Sequence, residues 1–456
     1  MASRAASTFR RHGRRVGSRG MQWRNASRRN TTERMAETNI MVIAGEPSGD
    51  ALAAELVQAL RAEAEFHCHP AKPDLHFFGA GGPNLAAAGV ELSVDMTQHA
   101  VIGLWEAIKS YGQFRRIFDK LLKLAVAKQP DLLICVDFSG FNRRFAHAVR
   151  KHAARTKGQW NPRIVQYVSP QVWASRPGRA TKMADDYDLL LTIFPFEKDW
   201  YAKRAPKLRV EFVGHPMLDR FAEWRGQPEP RPRPVPHEHL TLLLPGSRPG
   251  ELARHLPPML DAARRIGAEV DSGFLVVLPS EALLPVFAQH CRPFAIDKAN
   301  LADTASTTLA QARNLARQVF RGLDVQVGNL PEALRAATIA IASTGTVTME
   351  CAFFKVPTVA LYKTSWLTYQ IGKRIVTVKH LAMPNLLAGK VVFPEFVQDA
   401  ATGKNLAAAA LDLLRNPARR AEMQSQMGSI IGALGATGAN VRAAKAVWSL
   451  LCSARR

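Results

Sequence analysis

The sequence predicts an α/β protein built from two parallel-sheet domains around a central cleft, and three observations point there. From residue 39 onward, short apolar or β-branched runs alternate with helical stretches. A stretch over 223–239, carrying Pro228, Pro230, Pro232, Pro234 and Pro236, breaks that rhythm and suits neither helix nor central strand. With 456 residues, the chain has room for two or three domains. The expected division is a basic tail over 1–37, a first domain over 38–222, a linker over 223–239 and a second domain over 240–456. The terminal helices of the second domain are free to pack back on the first.

Residues 40–44 read as the first strand and 50–63 as the helix after it. The pattern repeats as 75–78 with 83–88, 132–136 with a helix through Arg150, 164–167 with 177–184, and 189–193 with 196–202. Runs of four or five apolar residues bounded by turn signals suit buried parallel strands, and a helix after each returns the chain to the same edge. That is a Rossmann-like domain. Beyond the linker, 240–244, 274–278, 325–327, 339–342 and 358–361 are strands, with helices starting near Glu251, Leu330, Val347 and Leu367. Open α/β sheets bind ligands beyond the carboxyl ends of their strands, so two such domains enclose a cleft between those ends.

Composition narrows the class. Hydrophobic residues make up 47% and charged residues 22%, which suits a folded, soluble protein, and no apolar run approaches the ~20 residues that span a bilayer. The formal charge is +23, of which residues 1–34, with ten arginines and one glutamate, hold +9. Such an excess favours an anionic partner, whether nucleic acid, phospholipid surface or phosphorylated substrate. The tail reads as disordered and has the composition of an organellar transit peptide or of an upstream start; it is given no function. Five scattered cysteines without a C-x-x-C pair argue against disulfides and zinc and for a reducing compartment.

Four loops combine chemistry with a strand-to-helix turn. Gly45-Glu46-Pro47-Ser48-Gly49-Asp50 lacks a phosphate-loop signature, and its acids would repel phosphate, so it suits neutral hydroxyls. Asp50 there is equally explained as a helix cap. Asp137, in Val136-Asp137-Phe138-Ser139-Gly140, ends a buried strand where desolvation raises a carboxylate toward a general base, although capping would also place an aspartate there. Leu244-Pro245-Gly246-Ser247-Arg248 adds a guanidinium to a glycine-rich turn and suits a diphosphate. In Ser343-Thr344-Gly345-Thr346, hydroxyls precede a helix bearing Glu350, which suits phosphate oxygens and a ribose diol respectively. Asp186-Tyr187-Asp188 has D-x-D spacing but precedes an apolar strand, and no metal is expected.

These loops, with Tyr167-Val168-Ser169-Pro170-Gln171-Val172-Trp173-Ala174, Phe194-Pro195-Phe196-Glu197, Phe212-Val213-Gly214-His215-Pro216 and Pro384-Asn385-Leu386-Leu387-Ala388-Gly389, resemble the lipid-A-disaccharide synthase family from about residue 40 to 414. The resemblance implies a two-domain GT-B glycosyltransferase without cofactor. Its substrates would be UDP-diacylglucosamine and diacylglucosamine 1-phosphate, joined by an inverting transfer. Family matching makes Asp137 the base, with Gly140 where the family usually has a second acid. It puts Glu46 near the acceptor or the reaction centre, Arg248, Ser343, Thr346 and Glu350 around UDP, and Asn385 and Gln398 on the donor side. His215 is a candidate for ordering the hinge.

Acylated substrates imply an anionic membrane surface as partner. Val101-Ile102-Gly103-Leu104-Trp105 through Arg116, and residues 362–380 with Trp366, Tyr369, Lys373, Arg374 and Lys379, pair apolar residues with cations as interfacial segments do. The implied location is the inner face of the inner membrane in a bacterium, or an organelle if the tail is a transit peptide. A homodimer is left open. Another UDP-sugar enzyme of the same architecture is one alternative; a basic nucleic-acid-binding protein is another, although the folded part carries no recognition motif for nucleic acid.

Overall fold

The structure, a computed structural model, describes residues 37–69, 74–96, 111–225, 237–295 and 307–453. The basic tail, most of the proline-rich stretch and Val101–Trp105 therefore lie outside the described residues. In the first domain the strands are β1 (Thr38–Ala44), β2 (Leu75–Gly81), β3 (Glu91–Asp95), β4 (Leu132–Val136), β5 (Arg163–Tyr167), β6 (Leu189–Thr192) and β7 (Arg209–Phe212). They form one sheet in the order β3-β2-β1-β4-β5-β6-β7, with every pairing parallel. The second domain has β8 (His239–Leu244), β9 (Ser272–Leu278), β10 (Leu323–Val327), β11 (Ile339–Ser343), β12 (Thr358–Tyr362) and β13 (Glu395–Val397), in the order β10-β9-β8-β11-β12-β13.

Both sheets thus grow outward from their first strand in the same sense, and β1 and β8 are central. Being covered on both faces, the central strands are apolar throughout: every residue of β4 and β9 is buried. The strands not foreseen, β3, β7 and β13, are edges. Their residues are half-exposed and mix charges with apolar groups, so no continuous apolar run announces them.

The last helix, Ala439–Ser453, leaves the second domain and lies against the helix Pro47–Cys68 of the first. Its N-terminal end is tied down by polar bonds. Tyr167 Oη donates to Asn440 Oδ1 (2.9 Å), Asn440 Nδ2 donates to Glu55 (2.9 Å), and the Gly438 and Asn440 N–H groups donate to Asp219. His215 packs on Phe194, and its Nδ1 accepts the Met217 N–H (3.2 Å). Burial pushes its pKa down to about 4, so it is neutral beside this junction.

Candidate active site

β1 and β8 each run into a turn and a helix with proline in its first turn, Pro47–Cys68 and Pro249–Gly267. Glu46 and Arg248 hold the equivalent position before those prolines, both with extended backbone (φ −128° and −116°), and neither caps its own helix. Their side chains instead meet across the cleft, with Arg248 Nη2 3.1 Å from Glu46 Oε2. Glycines make both turns possible. A Cβ on Gly45 would stand 2.3 Å from the Phe138 ring, and Gly246 has φ +118°, where a Cβ would meet Glu251 Oε2 at 2.5 Å.

Asp137 follows β4 directly, and with Phe138 it adopts the left-handed region (φ +48° and +39°). Its backbone is gripped on both sides. The Asp137 N–H donates to Tyr167 O (2.6 Å), and its carbonyl accepts from Asn142 Nδ2 (2.9 Å) and Gln166 Nε2 (3.1 Å). The carboxylate opens on the cleft, yet surrounding protein and the neighbouring Glu46 charge raise its pKa; a bond from the Phe138 N–H and the Arg248 charge offset this in part. Asp50, by contrast, is fully buried and holds the start of the next helix, accepting from the N–H groups of Gly82 (2.6 Å), Asn84 (2.9 Å) and Leu85 (3.2 Å).

The resulting cleft encloses about 670 Å³. Glu46 and Asp137 line one side, and Arg248, Ser343, Thr346 and Glu350 the other, so six of the eight residues singled out from sequence come together. Burial raises the Glu350 pKa, while Arg220 pulls it down. Asn385 and Gln398 stand behind this wall. Asn385 is fully buried, accepting from the Val392 and Phe393 N–H groups and donating to Phe393 O (2.8 Å). Gln398 exchanges two bonds with the Thr364 backbone, at 2.7 and 3.0 Å. Both hold loops of the second domain.

Sequence reasoning missed His255, which is fully buried behind the Arg248 turn. Its Nδ1 lies 2.7 Å from Pro245 O, and its Nε2 accepts the Lys363 N–H (3.0 Å). Burial lowers its pKa, which keeps the ring neutral and able to donate to one loop while accepting from the other. The D-x-D carboxylates are occupied elsewhere: Asp186 by His147, and Asp188 by Arg150 and Arg163. Among the described residues no cluster of three metal-ligating side chains occurs, and no helix is long and apolar enough to cross a membrane.

The model of the family described as lipid-A-disaccharide synthetase matches residues 40–447. Lipid-A-disaccharide synthase from Geobacter sulfurreducens is 34% identical over 418 residues, covering 90% of this chain and 97% of its own. The Syntrophus aciditrophicus enzyme of the same name is 33% identical over 414 residues with the same coverage. Among solved structures, the calicheamicin glycosyltransferase CalG4 superposes with a TM-score of 0.52 at 13% identity, covering 91% of this chain and 99% of its own. The UDP co-structure of MnaA from S. aureus gives 0.51 at 12% identity, with coverages of 89% and 94%. Likeness at such identities establishes the fold alone, whereas the sequence match extends through both domains and every loop of the cleft. This chain belongs to the lipid-A-disaccharide synthase family, hexosyltransferases of GT-B architecture.

Proposed function

We propose that the protein transfers a 2,3-diacylglucosaminyl unit from its UDP ester to the 6-hydroxyl of 2,3-diacylglucosamine 1-phosphate, giving a β-1,6-linked disaccharide and UDP. Family membership supports the reaction. The division of labour rests on one observation: a carboxylate-bearing turn beside Asp137 faces an arginine-bearing turn across the cleft. Inversion at the anomeric carbon requires a single in-line displacement. Asp137 takes the proton of the 6-hydroxyl as that oxygen bonds to the anomeric carbon, and the bond from this carbon to the diphosphate breaks with its electron pair leaving on UDP. A raised pKa makes Asp137 a stronger base near neutral pH.

Arg248 and the N-terminus of the helix Pro249–Gly267 take the charge that develops on the leaving diphosphate, so the scheme calls for no divalent ion. Ser343 and Thr346 serve phosphate oxygens, Glu350 serves the ribose diol, and Asn385 and Gln398 act through the loops they hold. Glu46 sits at the reaction centre, where it tunes Asp137.

Both substrates carry acyl chains, which puts the reaction at a membrane face, the cytoplasmic one in a bacterium. The helix Trp366–Ile375 supports docking there: Trp366 is 71% and Leu367 56% exposed, with Lys373 and Arg374 in the last turn. Mass spectrometry of the product formed from both acylated sugars tests the reading, and the expected species is the monophosphorylated tetraacyl disaccharide. Equal rates with a deacylated acceptor would move the assignment to a transferase for soluble acceptors.

A further inference from the structure

Beside the cleft, the first domain gathers four arginines that nothing in the proposed mechanism uses. Arg143 and Arg144 lie on the helix Ser139–Arg155, which begins two residues past Asp137. Arg176 and Arg179 lie on the turn into the helix Arg179–Asp186, where the Arg179 N–H bonds to Arg176 O (3.0 Å). His147, bonded to Asp186 (2.9 Å), and Arg150, donating to Asp186 O (3.1 Å), tie the two helices together. The short helix Val172–Ser175 before this turn touches the second domain, where Ala174 O accepts the Thr377 N–H (2.9 Å).

Several other arginines of this domain have acid partners: Arg150 and Arg163 share Asp188, and Arg209 pairs with Glu211. The side chains of Arg143, Arg144, Arg176 and Arg179 form no ion pair with an acid among the described residues. Burial and the charges of Arg176, Arg143 and Arg144 hold the Arg179 pKa below its ordinary value, as crowded cations without a counter-ion do. Such a cluster repels itself in the free protein and is relieved by an anion that several guanidinium groups can share.

We propose that Arg143, Arg144, Arg176 and Arg179 bind the anomeric phosphate of the acceptor, at a site separate from the Arg248 turn that takes the donor diphosphate. This rests on the glycosyl transfer proposed above. An acceptor whose 6-hydroxyl lies at Asp137 carries its phosphate on C1, joined through the ring oxygen to the C5 that bears the hydroxymethyl group, so the phosphate lies within about one ring width of Asp137. Arg143 stands four residues, about 6 Å of helix rise, past Ser139 in the cleft wall, a distance within the reach of an arginine side chain.

The test measures kcat/KM in detergent micelles with two acceptors, 2,3-diacylglucosamine 1-phosphate and the same lipid without phosphate, for the parent enzyme and for R143Q/R176Q. The parent should favour the phosphorylated acceptor by roughly 10–100-fold, chiefly through KM, and the double variant should lose at least about tenfold of that preference. UDP titration reports that the variant is folded; if it does not bind UDP, R143K/R176K carries the test, with a smaller loss expected. A parent without preference, or a preference intact in the variant, overturns the proposal. So does a variant that stops sedimenting with phosphatidylglycerol vesicles while keeping its preference, which would assign the cluster to bilayer headgroups. A parent that forms no disaccharide from either acceptor defeats the transfer reading itself, whereas product formed without preference defeats this site alone.

Discussion

The turns after β1 and β8 are the same structure with opposite chemistry. Each follows the central strand of a parallel sheet with the same outward order, bends at a glycine and enters a helix through a proline. The residue before the proline is Glu46 in one domain and Arg248 in the other. Acids further along diverge too. Asp50 turns away to hold the next loop, whereas Glu251 folds back on its own turn and accepts the Ser247 N–H (3.1 Å). On the proposed reading, a repeated scaffold becomes an acceptor side and a donor side through single side chains at matched positions, with Asp137 next to the anionic one.

The largest test of this asymmetry is Asp137→Asn. Turnover should fall roughly 10²–10⁴-fold, the range of a lost general base, while UDP affinity by calorimetric titration stays near that of the parent. Near-normal turnover would take the role of base from Asp137 and leave Glu46, on the same domain, as the candidate. Arg248→Ala should act in the opposite way, weakening UDP roughly 10–100-fold through loss of a charge-assisted contact. A variant that bound UDP normally but lost acceptor affinity would reverse the assignment of the two sides.

Most of this asymmetry was legible before any fold was known, because the information is local. A buried strand ending in glycine, an acid or a cation, then proline, announces the turns of Glu46 and Arg248; an aspartate or a hydroxyl run directly after a buried strand marks Asp137 and the loop of Ser343, Thr346 and Glu350, and all six line one cleft. Resemblance marked Asn385 and Gln398, but their work is to satisfy the backbone of Val392, Phe393 and Thr364, which no spacing in the sequence expresses. His255 left no local sign either: it joins carbonyl and amide groups 10 and 108 residues away, from the buried face of an ordinary amphipathic helix. The edge strands β3, β7 and β13 escaped because half-exposed strands lack a continuous apolar run.

Methyl groups on the two glycines should separate the sides by geometry instead of charge. Gly45→Ala drives a Cβ into the Phe138 ring and so disturbs the Asp137 loop; it should lower kcat more than UDP affinity. Gly246→Ala puts a Cβ at φ +118°, at a cost of about 1–2 kcal/mol in backbone strain alone, and should weaken UDP more than it slows turnover with saturating donor. Steady-state kinetics at saturating UDP-sugar, beside UDP titrations, distinguish the two patterns. Equal losses of both quantities in both variants would mean that the cleft responds as one rigid unit.

The smallest expected effect is the most specific to the facing pair. Burial comes first in raising the Asp137 pKa, and the Glu46 charge second, with Arg248 pulling the other way. Glu46→Gln removes the repulsive charge and also frees the guanidinium that had been neutralised by it, so both consequences lower the Asp137 pKa. A base works when deprotonated, and activity is lost as pH falls through its pKa. The acid limb of kcat/KM should therefore move to lower pH in Glu46→Gln, by roughly half a unit to one unit at low salt and by less at high salt. Arg248→Ala should move the same limb upward. Two shifts of opposite sign tie the titrating group to a point between the two turns; an acid limb fixed in both variants would mean that the group lies outside the pair's reach, and Asp137 could not be the base.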